Sequence, residues 1–337
     1  MRRTTILACS LAGFLLTLSA ARATLVPRLD LEAMTSGADL IAVGRLVGAE
    51  SLESKMVEIQ GQPVQARVML ARLAVERTIK GQTTAPSVTF RFVLPDMFVG
   101  YPGIGGNEFG VFFLRAVASG LEVFDPYHPY LVASPGGPPS VGSYEDQVVA
   151  EVAHVLDSPN STPDTRLRAV LVLEDTRVPL STQALERAAR GDDLRARVNA
   201  VGALLERKDL NALPEVKQLA LSSHLAADSD LLTGLGPSLD SIEDPRAVPI
   251  LTDLLAAPNA GIRRGAAAAL RNTHAPSAIA PLSKALYDTN RDVQYFGVIG
   301  LAEITGTTGE WAPATDTFME DPRKYVEHWR QWAKSQE

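Results

Sequence analysis

The sequence predicts an α+β protein of two domains: a small antiparallel β barrel or sandwich, followed by an all-α solenoid. Three observations support this prediction. Apolar residues alternate with a period of two over roughly the first third of the chain, which is typical of half-buried strands. Farther along, a helical pattern repeats every 31 residues, and such a fixed period is typical of stacked helix pairs. The first 23 residues have the composition of an export signal.

The N-terminal segment, residues 1–23, is predicted to be a cleaved signal peptide. Two arginines precede an apolar run over residues 6–18, and Ala21 and Ala23 stand where a signal peptidase prefers small residues. The run is shorter than the roughly 20 residues that a membrane-spanning helix needs. We therefore expect a mature chain that starts near Thr24, lies in the periplasm or outside the cell, and is not stably inserted in a membrane.

Removal of this segment changes the chemistry of the chain. The single cysteine, Cys9, lies within it, so the mature protein has no cysteine and each domain must be stabilised by a packed core rather than by disulfides. The formal charge of −7 becomes −10, because the segment carries three arginines and no acidic residue. This balance argues against nucleic acid and anionic membrane surfaces as partners, since both need clustered cations.

The first domain is predicted over residues 24–140. A short helix is expected first, broken at Ser36 and Gly37, and a bulge is expected near Ala71 in the longest strand. The predicted strands are bounded by Gly, Pro, Asn or Ser and run through DLIAVGRLVGAES, MVEIQG, QARVMLARLAVERTIKG, SVTFRFVL, EFGVFFLRAV and LEVF.

Four of these segments, residues 38–44, 75–81, 88–90 and 110–114, resemble the netrin and metalloproteinase-inhibitor barrel. That resemblance implies an oligonucleotide/oligosaccharide-binding (OB) type of fold. The inhibitors of that family occupy the protease zinc with an N-terminal cysteine and its amine. Here the mature chain would start at Thr24, so this mechanism is not expected.

Two irregular segments of the first domain were considered as sites. The glycine-rich stretch 94–107 matches no phosphate-binding spacing, and it is predicted to be a flexible hairpin loop whose Met97, Phe98 and Tyr101 form a candidate contact surface. The proline-rich stretch 125–142 is predicted to be the linker between the domains. His128 lies within it without a second ligand at metal-binding spacing, and is expected to pack at the junction.

Five helix pairs are predicted over residues 143–306. Each second helix has a leucine near its end and, four residues earlier, a residue that is small in four of the five cases; this spacing places both on one helix face. The pairs are Ala169 and Leu173, Ala200 and Leu204, Leu235 and Leu239, Ala266 and Leu270, and Gly297 and Leu301. The third pair is the least regular, and its four extra residues are expected in the loop between its helices.

This region resembles HEAT repeats, particularly the short bacterial kind found in phycobilisome lyase-like proteins. The matching residues are Asp244, Pro245, Pro249, Leu251, Leu254, Leu255 and residues 262–270. The resemblance implies a structural ladder of arginines at the start of the second helices, here Arg166, Arg197 and Arg263, with Asp164, Asp193 and Asn259 nearby. Leu232 and Gln294 interrupt the ladder in the third and fifth repeats.

Residues 307–337 are predicted to cap the last repeat. Asp321 and Pro322 are a favourable helix start, and Tyr325, Trp329 and Trp332 then recur on one helix face. A terminal repeat needs such a cover over its open apolar side.

No catalytic motif occurs in the chain, and the five histidines are isolated from one another. We therefore assign no catalytic, cofactor-binding or metal-binding residues, and whether the protein is an enzyme stays open. The expected function is non-enzymatic protein recognition by the solenoid. Two alternatives remain: an envelope enzyme or enzyme subunit with a site in the groove between the domains near His128, and an inhibitor-like module that uses residues 94–107.

Overall fold

The computed structural model describes residues 27–59, 61–96, 104–137, 141–222 and 229–336. Its strands all lie between residues 40 and 132, and the chain is helical from residue 144 onward. The predicted α+β class, with a β region followed by an all-α region, is confirmed. The signal segment 1–23 and the three contact-loop residues Met97, Phe98 and Tyr101 lie outside the described residues.

One short helix and six strands make up the β region. Helix α1 spans Leu31–Gly37, and the strands are β1 Leu40–Ile59, β2 Gln62–Lys80, β3 Ser87–Pro95, β4 Phe109–Val117, β5 Gly120–Val123 and β6 Leu131–Val132. The two strands predicted before Gly61 are a single strand, β1. Its polar middle looked like a turn, but it remains extended because it pairs continuously with β2.

The strands form one six-stranded sheet in the order β1-β2-β3-β5-β4-β6. Strands β3 and β5 are parallel, and the other pairs are antiparallel. In addition, β1 pairs with β4 over its first six residues, Leu40 to Arg45, so the hydrogen-bonded order returns to its first strand. This pairing encloses a core of aromatic side chains that includes Phe90, Phe112 and Phe113.

The bulge expected near Ala71 was predicted on the wrong strand, because it lies on β1 and not on β2. Ala71 pairs regularly with Ala49, and the extra residues of this part of the ladder are Val47 and Leu52 on β1. An extra residue reverses the facing of the side chains that follow it on its own strand, so the irregularity in this part of the ladder belongs to β1.

The helical region contains five pairs of helices, counted over the residues described. The first helices are α2 Tyr144–Asp157, α4 Pro179–Ala188, α6 Leu213–Ala220, α9 Val248–Leu254 and α11 Ile279–Ala285. The second helices are α3 Pro163–Asp175, α5 Leu194–Glu206, the two short helices α7 Asp230–Thr233 and α8 Leu235–Leu239, α10 Ala260–Asn272 and α12 Arg291–Thr305. The extra residues predicted for the third pair fall close to residues 223–228, which are outside the described part.

Successive second helices pack against one another more extensively than successive first helices do. All five predicted leucines, from Leu173 to Leu301, are buried in this stack. Glycines allow the closest approach: a Cβ on Gly265 of α10 would lie 2.4 Å from the backbone oxygen of Gly236 in α8. The repeats are therefore packed most closely on the side of the second helices. The exposed surface of these helices is called the inner face below.

The junction between the two regions is packed and is not an open linker. Within the predicted linker, residues 130–134 are buried, and two of them form strand β6. They are buried because the sheet and the first helices share one continuous apolar core. Across the junction, Arg77 of β2 makes two hydrogen bonds to Glu151 of α2, whose side chain is only 2% exposed.

The chain ends in helices α13 Thr315–Glu320 and α14 Pro322–Lys334. Helix α14 packs on α12 and α11, with Tyr325 and Trp329 buried and Trp332 partly buried. Within the described residues, no helix has both the length and the apolar character needed to cross a membrane.

Candidate functional site

A groove of about 290 Å³ lies on the inner face between α5 and the α7–α8 segment. Its walls carry the carboxylates Glu174, Glu206 and Asp230, with the polar side chains of Asn199 and Ser238 between them. These positions follow from the helix period. The core leucines of each second helix point into the packed core between the helices. Residues on the opposite side of the same helix therefore lie on the surface.

The groove is electrostatically negative. Glu174 is half-buried, and its pKa is raised above its usual value by burial first and then by repulsion from Glu206 and Asp175. Glu174 and Glu206 also stand at the C-terminal ends of α3 and α5, where the helix dipole adds further negative potential. In the described part of the chain, no side chain forms an ion pair with Glu174, Glu206 or Asp230. The arrangement therefore attracts cationic groups.

Cross-repeat hydrogen bonds hold the ends of the second helices in place beside this groove. The Arg207 guanidinium donates to the carbonyls of Leu173 and Thr176 at the end of α3, at 2.6 and 2.7 Å. The Ser241 hydroxyl donates to the Leu205 carbonyl at 2.9 Å. Burial is the main cause that lowers the pKa of Arg207. Sequence reasoning missed these ties, because each joins residues more than thirty positions apart.

The three predicted ladder arginines all form contacts within the helical region. Arg263 forms an ion pair with Asp288 at 2.7 Å and also donates to two backbone carbonyls. Arg197 pairs with Glu215 at 3.1 Å, and Arg166 donates to the Ser158 carbonyl at 3.2 Å.

The residues expected near these arginines act differently. Asp193 and Asn259 cap the N-termini of α5 and α10 by accepting backbone hydrogen bonds. The acidic partners of Arg197 and Arg263 come instead from the following repeat, since Glu215 lies on α6 and Asp288 follows α11. Their contacts therefore tie neighbouring repeats together.

A second groove, of about 450 Å³, lies on the β region. Its lining combines the cations Lys55, Arg91 and Arg115 with the acids Glu53 and Glu122. Arg115 and Glu122 form an ion pair, whereas the Nε atom of Arg91 is buried without a hydrogen-bond partner in the described structure. This groove lies beside the predicted His128 segment but is not lined by the histidine itself.

His128 takes part in a local contact with Asp125. The two side chains are joined at 2.7 Å, from Nδ1 to Oδ2. Burial works to raise the pKa of Asp125, but the hydrogen bonds from His128 and from the Tyr127 backbone lower it below its usual value. This geometry stabilises the turn after β5.

The junction next to His128 is closed by direct contacts. Arg168 donates to the Tyr130 hydroxyl at 2.6 Å, and the Ser134 and Ser161 hydroxyls are 3.0 Å apart. Much of the loop 94–107 that would complete an interdomain site lies outside the described residues. Within the described ranges, no group of three or more His, Cys, Asp or Glu residues is placed to hold a metal ion.

A family model described as HEAT repeats matches residues 226–302. The match covers the end of the array from α7 to α12, the part in which the 31-residue period is clearest. No curated protein matches the chain. The helical region thus contains HEAT-like repeats, and repeats of this kind commonly mediate protein interactions.

Proposed function

We propose that this is an exported, non-enzymatic scaffold that binds a protein partner through the inner face of its HEAT-like repeats. One observation carries the proposal: the second helices stack against one another and are held in register by contacts between repeats. A surface of this kind is rigid along its length and offers many small contacts rather than one reactive centre.

The chemistry of the inner face indicates the kind of partner. Glu174, Glu206 and Asp230 line the groove and form no ion pair within the described residues, although the charges of Arg28 and Arg177 act on Glu174. A protein segment that carries lysine or arginine would complement them, and such complementarity increases the association rate and the selectivity for that partner. The short apolar wall formed by Leu231 adds a contact for the stem of a long cationic side chain.

For the β region, which forms a six-stranded sheet and not the predicted barrel, we propose the role of an accessory module. In this sheet, β1 pairs with both β2 and β4, and β3 runs parallel to β5. The groove around Arg91 and Arg115 gives this module a surface of its own. Location in a bacterial envelope is part of the same proposal and is supported by the signal-like segment 1–23.

The decisive experiment compares two charge reversals in affinity capture from the envelope fraction of the source organism. The double variant Glu206→Lys, Asp230→Lys reverses the charge of the inner-face groove. The matched control is Glu186→Lys on the first helix α4, which removes an acidic residue from the opposite side of the array. We expect the double variant to lose the captured partner and the control to retain it.

Two results would contradict the proposal. Equal capture by both variants would place the binding surface outside the inner face. Capture that persists in a protein lacking the helical repeats would place the binding site on the β region. Loss of capture in the variant Arg91→Ala would do the same. Circular dichroism of each variant establishes that a loss of capture does not come from a loss of fold.

A further inference from the structure

Over its second half, strand β1 has an edge that no strand of the described residues pairs with. Its pairing with β4 stops at Arg45, and two backbone hydrogen bonds follow at Leu46, one with Glu108 and one with Asn107. Beyond this point, no other described element hydrogen-bonds to that edge. Residues 47–56 are all exposed, which differs from the buried first half of the same strand. An edge of this length is a template for pairing with another strand.

The register with β2 shows which backbone groups point outward. Glu58 is paired with Pro63, which has no N–H to donate, so Glu58 occupies a non-hydrogen-bonded position of the ladder. Since hydrogen-bonded and non-hydrogen-bonded positions alternate, Met56 and Ser54 share this orientation. The N–H and C=O groups of these three residues are therefore directed to the free edge.

The side chains along this edge are complementary to themselves. If two copies pair antiparallel about a two-fold axis through Ser54, Glu53 of one copy lies opposite Lys55 of the other, and the reverse pair forms by symmetry. Leu52 is the extra residue between Ser51 and Glu53, so the regular register is defined from Glu53 to Lys55 and is not extended through Leu52. Glu53 and Lys55 form no ion pair within the described chain.

We propose that the partner of this edge is a second copy of the chain, joined through antiparallel β1–β1 pairing centred on Ser54. The two opposite-charge pairs favour this register, because cross-strand pairs of opposite charge stabilise antiparallel sheets. An isologous contact of this kind closes on itself as a dimer and leaves both inner faces free.

The test is sedimentation equilibrium of the purified protein and five variants from about 1 μM to about 300 μM, a range suited to a small interface. In a dimer of either single variant, Glu53→Lys or Lys55→Glu, both symmetry-related pairs of residues 53 and 55 consist of like charges. We expect each single variant to weaken dimerisation by roughly tenfold or more. The double variant Glu53→Lys, Lys55→Glu restores both pairs and should restore the dimer, as should an equimolar mixture of the two single variants.

Ser54→Pro tests the backbone contact separately. Proline removes the outward N–H at the centre of the interface but no hydrogen bond to β2, so the monomer should remain folded while the dimer is lost. Ser54→Ala, which keeps the N–H, is its control and should dimerise. A wild-type protein that stays monomeric over the whole range overturns the proposal. So does a dimer that is insensitive to both the charge reversals and the proline.

Discussion

The buried ion pair between Arg77 and Glu151 is expected to be the strongest single polar contact between the β region and the helices. Glu151 is 2% exposed and Arg77 is 24% exposed, so the two side chains are unequally shielded from water. Replacing Arg77 by methionine leaves a carboxylate almost wholly buried without its cation. Breaking a buried pair in this way costs about 3–5 kcal/mol of the free energy of unfolding.

The reverse substitution should cost less. In Glu151→Gln, the guanidinium of Arg77 can still reach solvent and still contacts the neighbouring Glu76. We expect a loss of about 1–2 kcal/mol, since a partly exposed charge is screened by water. A double variant, Arg77→Met with Glu151→Leu, should lie within about 1 kcal/mol of the wild type, because no charge is then left without a partner.

Urea unfolding followed by far-ultraviolet circular dichroism measures these differences. Tryptophan fluorescence gives a second, local signal, because all three tryptophans lie between residues 311 and 332 and report on the C-terminal cap. The coupling energy from the double-mutant cycle is the quantity of interest. If Arg77→Met stays within about 0.5 kcal/mol of the wild type, or if Glu151→Gln is the more damaging change, the reasoning from unequal burial is wrong.

Three further predictions concern single sites. Gly265→Ala should destabilise the array by about 1–3 kcal/mol, because its Cβ would overlap the backbone of the adjacent helix. Gly202→Ala, whose Cβ has ordinary contacts, should stabilise the array by about 0.5–1 kcal/mol. Thermal unfolding distinguishes the destabilising change from the stabilising one. Arg263→Met leaves the mostly buried Asp288 unpaired and should cost about 3 kcal/mol in urea unfolding, and a change below 1 kcal/mol would contradict its scaffold role. Because the pKa of Asp125 is lowered in the fold, its contribution is present above its unfolded pKa and is lost as the pH falls through the folded value; Asp125→Asn should therefore reduce stability at pH 7 and flatten the acid side of the stability profile.

Local patterns predicted most of the helical region correctly. The repeat spacing, 31 residues except for 35 between Leu204 and Leu239, located five leucines that the structure buries, because stacked repeats present the same face at a near-constant interval. The start of the last helix was also readable, since the Asp321 side chain accepts a backbone hydrogen bond from Lys324 as an N-cap does. The alternation of apolar residues with a period of two likewise identified the strands of the β region.

The errors occurred where a segment's neighbours decided its state. Residues 130–134 have the proline-rich surroundings of a linker, yet they are buried because the sheet and the first helices close over them. The polar middle of β1 has the composition of a turn, yet it is extended because β2 pairs with it throughout. Neither outcome can be read from a short window, since each depends on residues elsewhere in the chain.

The sequence by itself determined the class of the fold and the HEAT-like character of the helical region. These features are encoded in periodicity and composition, which are local properties. Only the tertiary structure decided that Arg77 meets Glu151, that three carboxylates converge on the inner face, and that one edge of β1 has no partner in the described chain. Each of these features depends on residues that are distant in sequence, and the packing of the whole chain determines which of those residues are in contact.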